Sequence, residues 1–185
     1  PRPNLASMGI NKFNWKTLKE ALLANADQPG LDFGKHIIPY CHGKGYPLYA
    51  VEFNGYWKDV GTLNSYWEAN MELIDIVPEF NLYEEYWKIY TKSEILPPQY
   101  FAETSLVERS IIGEGSEISG QVYNSVIGCG VTIGKDTVVR DSIIMNGTVI
   151  GDGCELNKAI VAEKAIIGNN VKLSRIPICR CRRLN

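Results

Sequence analysis

The chain lacks the features that mark most specialised classes of protein. No apolar run reaches the roughly 18 to 20 residues that a membrane-spanning helix needs. The opening "PRPNLASMGI" has neither the charged leader nor the apolar core of a secretory signal. Histidine is scarce, with only His36 and His42. The five cysteines (41, 129, 154, 179 and 181) are odd in number and never form a C-x-x-C pair. Neither a zinc site nor a disulfide framework is therefore expected, and reduced thiols in a cytoplasmic setting are. A formal net charge of −2 gives no electrostatic reason to expect nucleic acid or an anionic membrane as partner. An initiating Met is missing too, and the chain reads as a fragment.

What remains is ordinary in bulk, 45% hydrophobic and 22% charged, which fits a soluble globular protein. Its pattern is not uniform. In the first hundred residues "NWKTLKEALLANADQPG" carries Trp15, Leu18 and Leu22 at helical spacing and stops at Gln-Pro-Gly, which predicts a helix. The stretch around His36 and His42 reads as loop. "YPLYAVEFNGYWKDVG" alternates apolar and polar residues from Leu48 to Phe53, the pattern of a strand. Thr62 is a candidate N-cap for a second helix that places Leu63, Trp67, Met71 and Ile74 on one face. Residues 77–99, punctuated by proline at both ends, read as a connector with room for a short helix.

From about Leu106 the sequence repeats. Ile112, Ile118 and Val122 form one set; Ile127, Ile133 and Val139 the next; then Ile144, Ile150 and Leu156; then Val161, Ile167 and Leu173. Ile127, Ile144 and Val161 recur at a fixed interval divided into three short faces, the hexapeptide signature of a parallel β-helix. Gly113, Gly128, Gly134, Gly151 and Gly168 follow these aliphatics, where a tight corner favours a residue without Cβ. The tail "RIPICRCRRLN", with Arg175, Arg180, Arg182 and Arg183, does not continue the pattern. The expected organisation is an α/β segment over 1–76, a linker over 77–104, the β-helix over 105–174 and a basic non-repeat tail over 175–185. Likeness to other hexapeptide proteins implies the left-handed form. The open ends of such a coil favour oligomerisation or docking.

Hexapeptide acyltransferases use a histidine base within the coils, and no histidine lies in the repeat here, which weakens that reading. "NLASMGI" (4–10), "LDFGKHIIP" (31–39), "GYWKDVGTLNSYWEANMELI" (55–74) and "ILPPQ" (95–99) resemble, in order and spacing, the second half of the bacterial ADP-glucose pyrophosphorylases. That resemblance implies the end of a Rossmann-like nucleotidyltransferase domain followed by a left-handed β-helix. It implies a reaction joining ATP and glucose 1-phosphate to give ADP-glucose and pyrophosphate for glycogen or starch synthesis, with Mg²⁺ as the metal. It implies a homotetramer under allosteric control.

By the same resemblance Asp59 is the catalytic, metal-binding carboxylate, while Ser7, Asp32 and Trp57 line the glucose 1-phosphate side. From the residues alone, Asp59 reads first as a turn-forming Asp at a helix entry, Ser7 also as a small residue at a strand start, Asp32 as a loop Asp in a local turn, and Trp57 as a core side chain. Two positions depart from the family pattern: Asn11 stands where "ASMGIY" has tyrosine, and His36 where "DFGKD" has aspartate. The family's Gly-rich triphosphate loop, second carboxylate and ATP-contacting base are not in this sequence, so the chain alone is expected to be inactive. A non-catalytic regulatory subunit of the same assembly, or a free-standing oligomerisation module, is the alternative; the intact "WKDVGT" favours the catalytic type.

Overall fold

The structure, a computed structural model, describes residues 5–92, 95–174, 178–179 and 183–184. It divides into two compact units, 1–57 and 58–185.

The first unit is helical. Helix α1 (Trp15–Ala24) starts at Asn14, whose side chain accepts from the Lys16 amide. Its inner face is Ala21, fully buried, with Leu18 and Leu22 packed beside it. Trp15, expected on that face, is 68% exposed, and Phe13 takes part in the packing instead. A π-helical turn (Phe33–Ile37) runs directly into α2 (Ile38–Gly43), so the stretch expected as loop is helical. Pro39 lies in the first turn of α2, where a missing N–H costs nothing. No strand forms over Leu48–Phe53; the segment has no regular structure, and Leu48, Tyr49, Val51 and Phe53 are all exposed. Alternation alone does not make a strand, because the ladder hydrogen bonds need a neighbouring strand, and none is described in this unit.

The second unit opens with α3 (Leu63–Glu72), capped by Thr62 in a full capping box with Ser65. Residues 73–99 contain no helix or strand among those described. Fifteen short strands of the β-helix, β1 to β15, and a sixteenth, β16, then build three parallel sheets. Sheet one stacks β1 (Tyr100–Phe101), β4 (Glu117–Ile118), β7 (Thr132–Ile133), β10 (Val149–Ile150), β13 (Ile166–Ile167) and β16 (Arg183–Leu184). Sheet two stacks β2 (Leu106–Glu108), β5 (Gln121–Tyr123), β8 (Val138–Arg140), β11 (Glu155–Asn157) and β14 (Lys172–Ser174). Sheet three stacks β3 (Ile111–Ile112), β6 (Val126–Ile127), β9 (Ile143–Ile144), β12 (Ile160–Val161) and β15 (Ile178–Cys179). Pairing begins at Tyr100, ahead of the expected start at 105. The tail over 175–185 lies outside the described residues except for β15 and β16, whose backbone pairs with β12 and β13.

The register follows the repeat. Ile118, Ile133, Ile150 and Ile167 are successive partners on sheet one. Val122, Val139, Leu156 and Leu173 are partners on sheet two. Ile112, Ile127, Ile144 and Val161 are partners on sheet three. These side chains point inward and make one continuous core. Each buried aliphatic contributes about 1.5–3 kcal/mol. On sheet three Ile143 and Ile160 alternate to the other side yet are also buried, so the outer side of this sheet is covered at these two strands.

One corner, between sheets two and three, repeats a left-handed residue in each coil: Arg109, Asn124, Asp141 and Lys158, with φ from 44° to 53°. The amides of Asn124, Asp141 and Lys158 donate to the carbonyls of Glu108, Tyr123 and Arg140 in the preceding coil.

Candidate functional site

Ser7, Asp32 and Trp57 belong to the first unit and Asp59 to the second. All four are exposed. Among the described residues no hydrogen bond joins any two of Ser7, Asp32 and Trp57. Each polar one is set by its own backbone. The Ser7 hydroxyl accepts from the Gly9 amide at 3.2 Å, which leaves its own proton free to donate. Asp32 caps the π-helical turn: Oδ1 accepts from the Lys35 amide at 2.8 Å, and the Asp32 amide donates to His36 Nδ1 at 3.1 Å. His36 thus holds this turn where the family pattern has aspartate. A carboxylate has acceptor sites to spare, so capping does not exhaust Asp32. Trp57 shows 46% of its surface.

A hollow of about 650 Å³ in the first unit is lined by Asn11, Lys12, Asn14, Thr17, Tyr46 and neighbours, and by none of the three. Its Asn11 is the other position that departs from the family pattern. Beside it, the Tyr46 hydroxyl donates to Glu20 Oε2 at 2.8 Å. That bond, with desolvation adding to it, raises the tyrosine above its ordinary pKa.

Asp59 is placed by the turn that follows it. Its Oδ1 accepts from the Gly61 amide at 3.0 Å, and Thr62 then caps α3. The turn chemistry legible in Asp-Val-Gly-Thr is therefore present, and it orients the carboxylate without using both oxygens. The residue before it is tied to the same helix: Lys58 Nζ lies 2.5 Å from Glu72 Oε1 and 3.4 Å from Glu68 Oε2. The bond to Glu72 raises the lysine pKa, desolvation opposes it, and Glu68 adds to the rise.

A hard cation such as Mg²⁺ takes carboxylate oxygens together with water and substrate oxygens. An exposed, oriented Asp59 fits as one such ligand. Among the described residues no cluster of three His, Cys, Asp or Glu side chains can hold a metal by itself, so Asp59 would be one ligand among several from elsewhere.

Sequence reasoning missed two features. One is the helical turn around His36, disguised by Gly34 and Pro39. The other is the polar end of Trp67, read only as a member of an apolar face. Its indole Nε1–H donates to the carbonyl of Asp141, 74 residues away, at 2.6 Å, and Lys158 Nζ lies 4.4 Å from the ring centroid.

Among the described residues no helix is long and apolar enough to cross a membrane. Residues 1–76 match the family described as Nucleotidyl transferase, and residues 88–180 that described as EIF2B subunit epsilon LbH domain, a left-handed β-helix. A glucose-1-phosphate adenylyltransferase from Lachnospira eligens is 64% identical over 133 residues, 72% of this chain and 31% of that protein. Its namesake from Acetivibrio thermocellus is 47% identical over 148 residues, 79% of this chain and 35% of that protein. Another from Thermotoga maritima is 50% identical over 143 residues, 76% of this chain and 34% of that protein. The chain thus spans about a third of the length of the curated relatives it matches. With a nucleotidyl transferase segment leading into a left-handed β-helix, and this level of identity to several relatives of one name, the chain belongs to the glucose-1-phosphate adenylyltransferase family.

Proposed function

We propose that this chain forms the glucose 1-phosphate side and the β-helix of an enzyme making ADP-glucose from ATP and glucose 1-phosphate. The identity of 64% over 133 residues to a named adenylyltransferase carries the reading. In the reaction a phosphate oxygen of glucose 1-phosphate bonds to the α-phosphorus of ATP, the bond from that phosphorus to the bridging oxygen breaks, and pyrophosphate leaves. Asp32 accepts hydrogen bonds from sugar hydroxyls, Ser7 donates its free hydroxyl proton, and Trp57 offers an exposed ring to the hexose. Asp59 supplies one carboxylate ligand to Mg²⁺. When bound, that ion offsets the negative charge that builds on the phosphoryl oxygens. A cytoplasmic location, homo-oligomeric assembly and a role in glycogen or starch synthesis belong to the same proposal. The 185-residue chain by itself does not turn over substrate, because one carboxylate is an incomplete site.

The test is a chimera in which this chain replaces the matching segment of the Lachnospira eligens relative, assayed for ADP-glucose. Activity comparable to the parent, reduced at least about 100-fold by Asp59→Asn, is the expected result, since charge-stabilising groups are commonly worth that much. A folded chimera without activity would favour the non-catalytic subunit, and an active Asp59→Asn variant would remove the metal role. ADP-glucose made by the 185-residue chain alone would refute the claim that it is incomplete.

A further inference from the structure

Asp59 sits in a very short segment closed at both ends on one helix. Before it, Lys58 is bonded to Glu68 and Glu72 of α3. After it, Gly61 is bonded to the carboxylate itself and Thr62 caps the same helix. Wherever α3 goes, the carboxylate follows. Among the described residues the helix is in turn tied to one corner of the β-helix. The Trp67 indole donates to the Asp141 carbonyl, Lys158 covers the ring, and beyond the helix end Asp75 Oδ1 lies 2.6 Å from Arg109 Nη2. Arg109, Asp141 and Lys158 are three members of the left-handed corner stack.

The acceptor chosen by Trp67 matters. A largely buried indole N–H needs a partner, and a side-chain acceptor would move with its own rotamer. The Asp141 carbonyl cannot move in that way. Its residue is held by its amide bonding to Tyr123 O at 3.1 Å and by Asn124 Nδ2 donating to its side-chain Oδ1 at 2.5 Å. A packing role for Trp67 explains the ring; it does not require a direct bond to a backbone atom of the coil.

We propose that Trp67, held by Asp141 and Lys158, is a positioning residue for Asp59, so that the β-helix sets where this carboxylate stands. The inference rests on the metal-binding reading of Asp59. It assigns the coils a part in preparing the active carboxylate, beyond their part in assembly.

Trp67→Phe keeps an aromatic ring under Lys158 and removes only the N–H donor. Hydrogen exchange on the whole chain provides the first arm. Losing one such bond speeds exchange of the Gly61 and Tyr66 amides about fivefold, while the Ile133 and Ile150 amides in the coils are unchanged. The second arm uses the chimera described above. There the variant lowers kcat about tenfold, raises the Mg²⁺ concentration needed for half-maximal rate and weakens Mn²⁺ binding followed by paramagnetic resonance, with KM for ATP unchanged. Thr137→Val, which weakens the coils elsewhere, leaves the Mg²⁺ dependence as it was.

Unchanged exchange at Gly61 and Tyr66 overturns the proposal. Faster exchange with unaltered Mg²⁺ and Mn²⁺ dependence in an active chimera overturns it too, and makes Trp67 a plain anchor. A wild-type chimera that folds but is inactive sinks the functional reading instead. In that case the exchange arm alone decides whether Trp67 holds the Asp59 turn.

Discussion

Glycine in the coil corners is required by space. At Gly134 an added Cβ would lie 2.6 Å from both the backbone carbon and the carbonyl oxygen of Gly151 in the next coil, and at Gly113 it would lie 2.6 Å from the Cys129 nitrogen. Those neighbours are backbone, so they yield only if the coils separate. Gly134→Ala is expected to destabilise the β-helix by about 1–3 kcal/mol or more, the range for overpacking a tight interior. Gly43, in the first unit, where a Cβ meets nothing within 4 Å, serves as the control; its alanine variant should leave the urea midpoint of the coil amides at the wild-type value. Equal midpoints for the two variants would show that the coils tolerate separation. The repeat made these glycines visible in the sequence. It could not say whether a dihedral angle or a close approach selected them, because that depends on an atom one coil away.

At the scale of the element, the inner corners are held by hydroxyls that bridge successive coils. Ser125 Oγ accepts from the Ser142 amide at 3.1 Å and Ser142 Oγ from the Ala159 amide at 3.0 Å, while each donates to a carbonyl two residues back. At another corner Thr137 Oγ1 donates to Gly151 O at 2.6 Å and accepts from the Cys154 amide at 3.0 Å. These groups are fully buried. Thr137→Val keeps the shape and strands two backbone groups, so it should cost about 2–6 kcal/mol at a penalty of about 1–3 kcal/mol for each group. Urea midpoints measure it, and a loss below about 1 kcal/mol would mean that water replaces the hydroxyl. The aliphatic stacks of the same coils were legible from spacing, since one inward residue per face repeats without interruption. Helix α3 was legible from its cap and apolar face. The expected strand over Leu48–Phe53 failed for lack of a partner in its unit, which no local pattern can reveal. The candidate site was legible only as residue types in a family order. Asp59 and Asp32 show their turn chemistry in sequence, but the tie from α3 to Asp141 joins residues too far apart in the chain for any spacing rule.

At the scale of the whole molecule the two units differ in how much they bury. Among the described residues the first has a buried cluster of Ala21, Ile37 and Cys41 with a few half-buried neighbours. The second has thirteen buried members in one continuous core, most of them Ile, Val or Leu. Burial of apolar area is the main force opposing chain entropy, so the first unit should open well before the second. In a urea series the amides of Ile37 and Cys41 are expected to lose protection at concentrations where those of Ile133 and Ile150 remain protected. Raising pH should widen the gap. Tyr46 has its folded pKa raised above 10.0 by its bond to Glu20. The stability that this bond adds is therefore fully present below the unfolded value and is lost as pH rises through the folded one. The first transition should move to lower urea across that alkaline window, and Tyr46→Phe should start at lower urea and not move in this way. In the second unit the group with a raised pKa is Lys58, which lies ahead of α3 and outside the coil core, so the coil-core amides should hold their midpoint. A single transition shared by all four amides at every pH would mean that the two units unfold as one, and would remove the basis for treating the β-helix as the rigid body that carries Asp59.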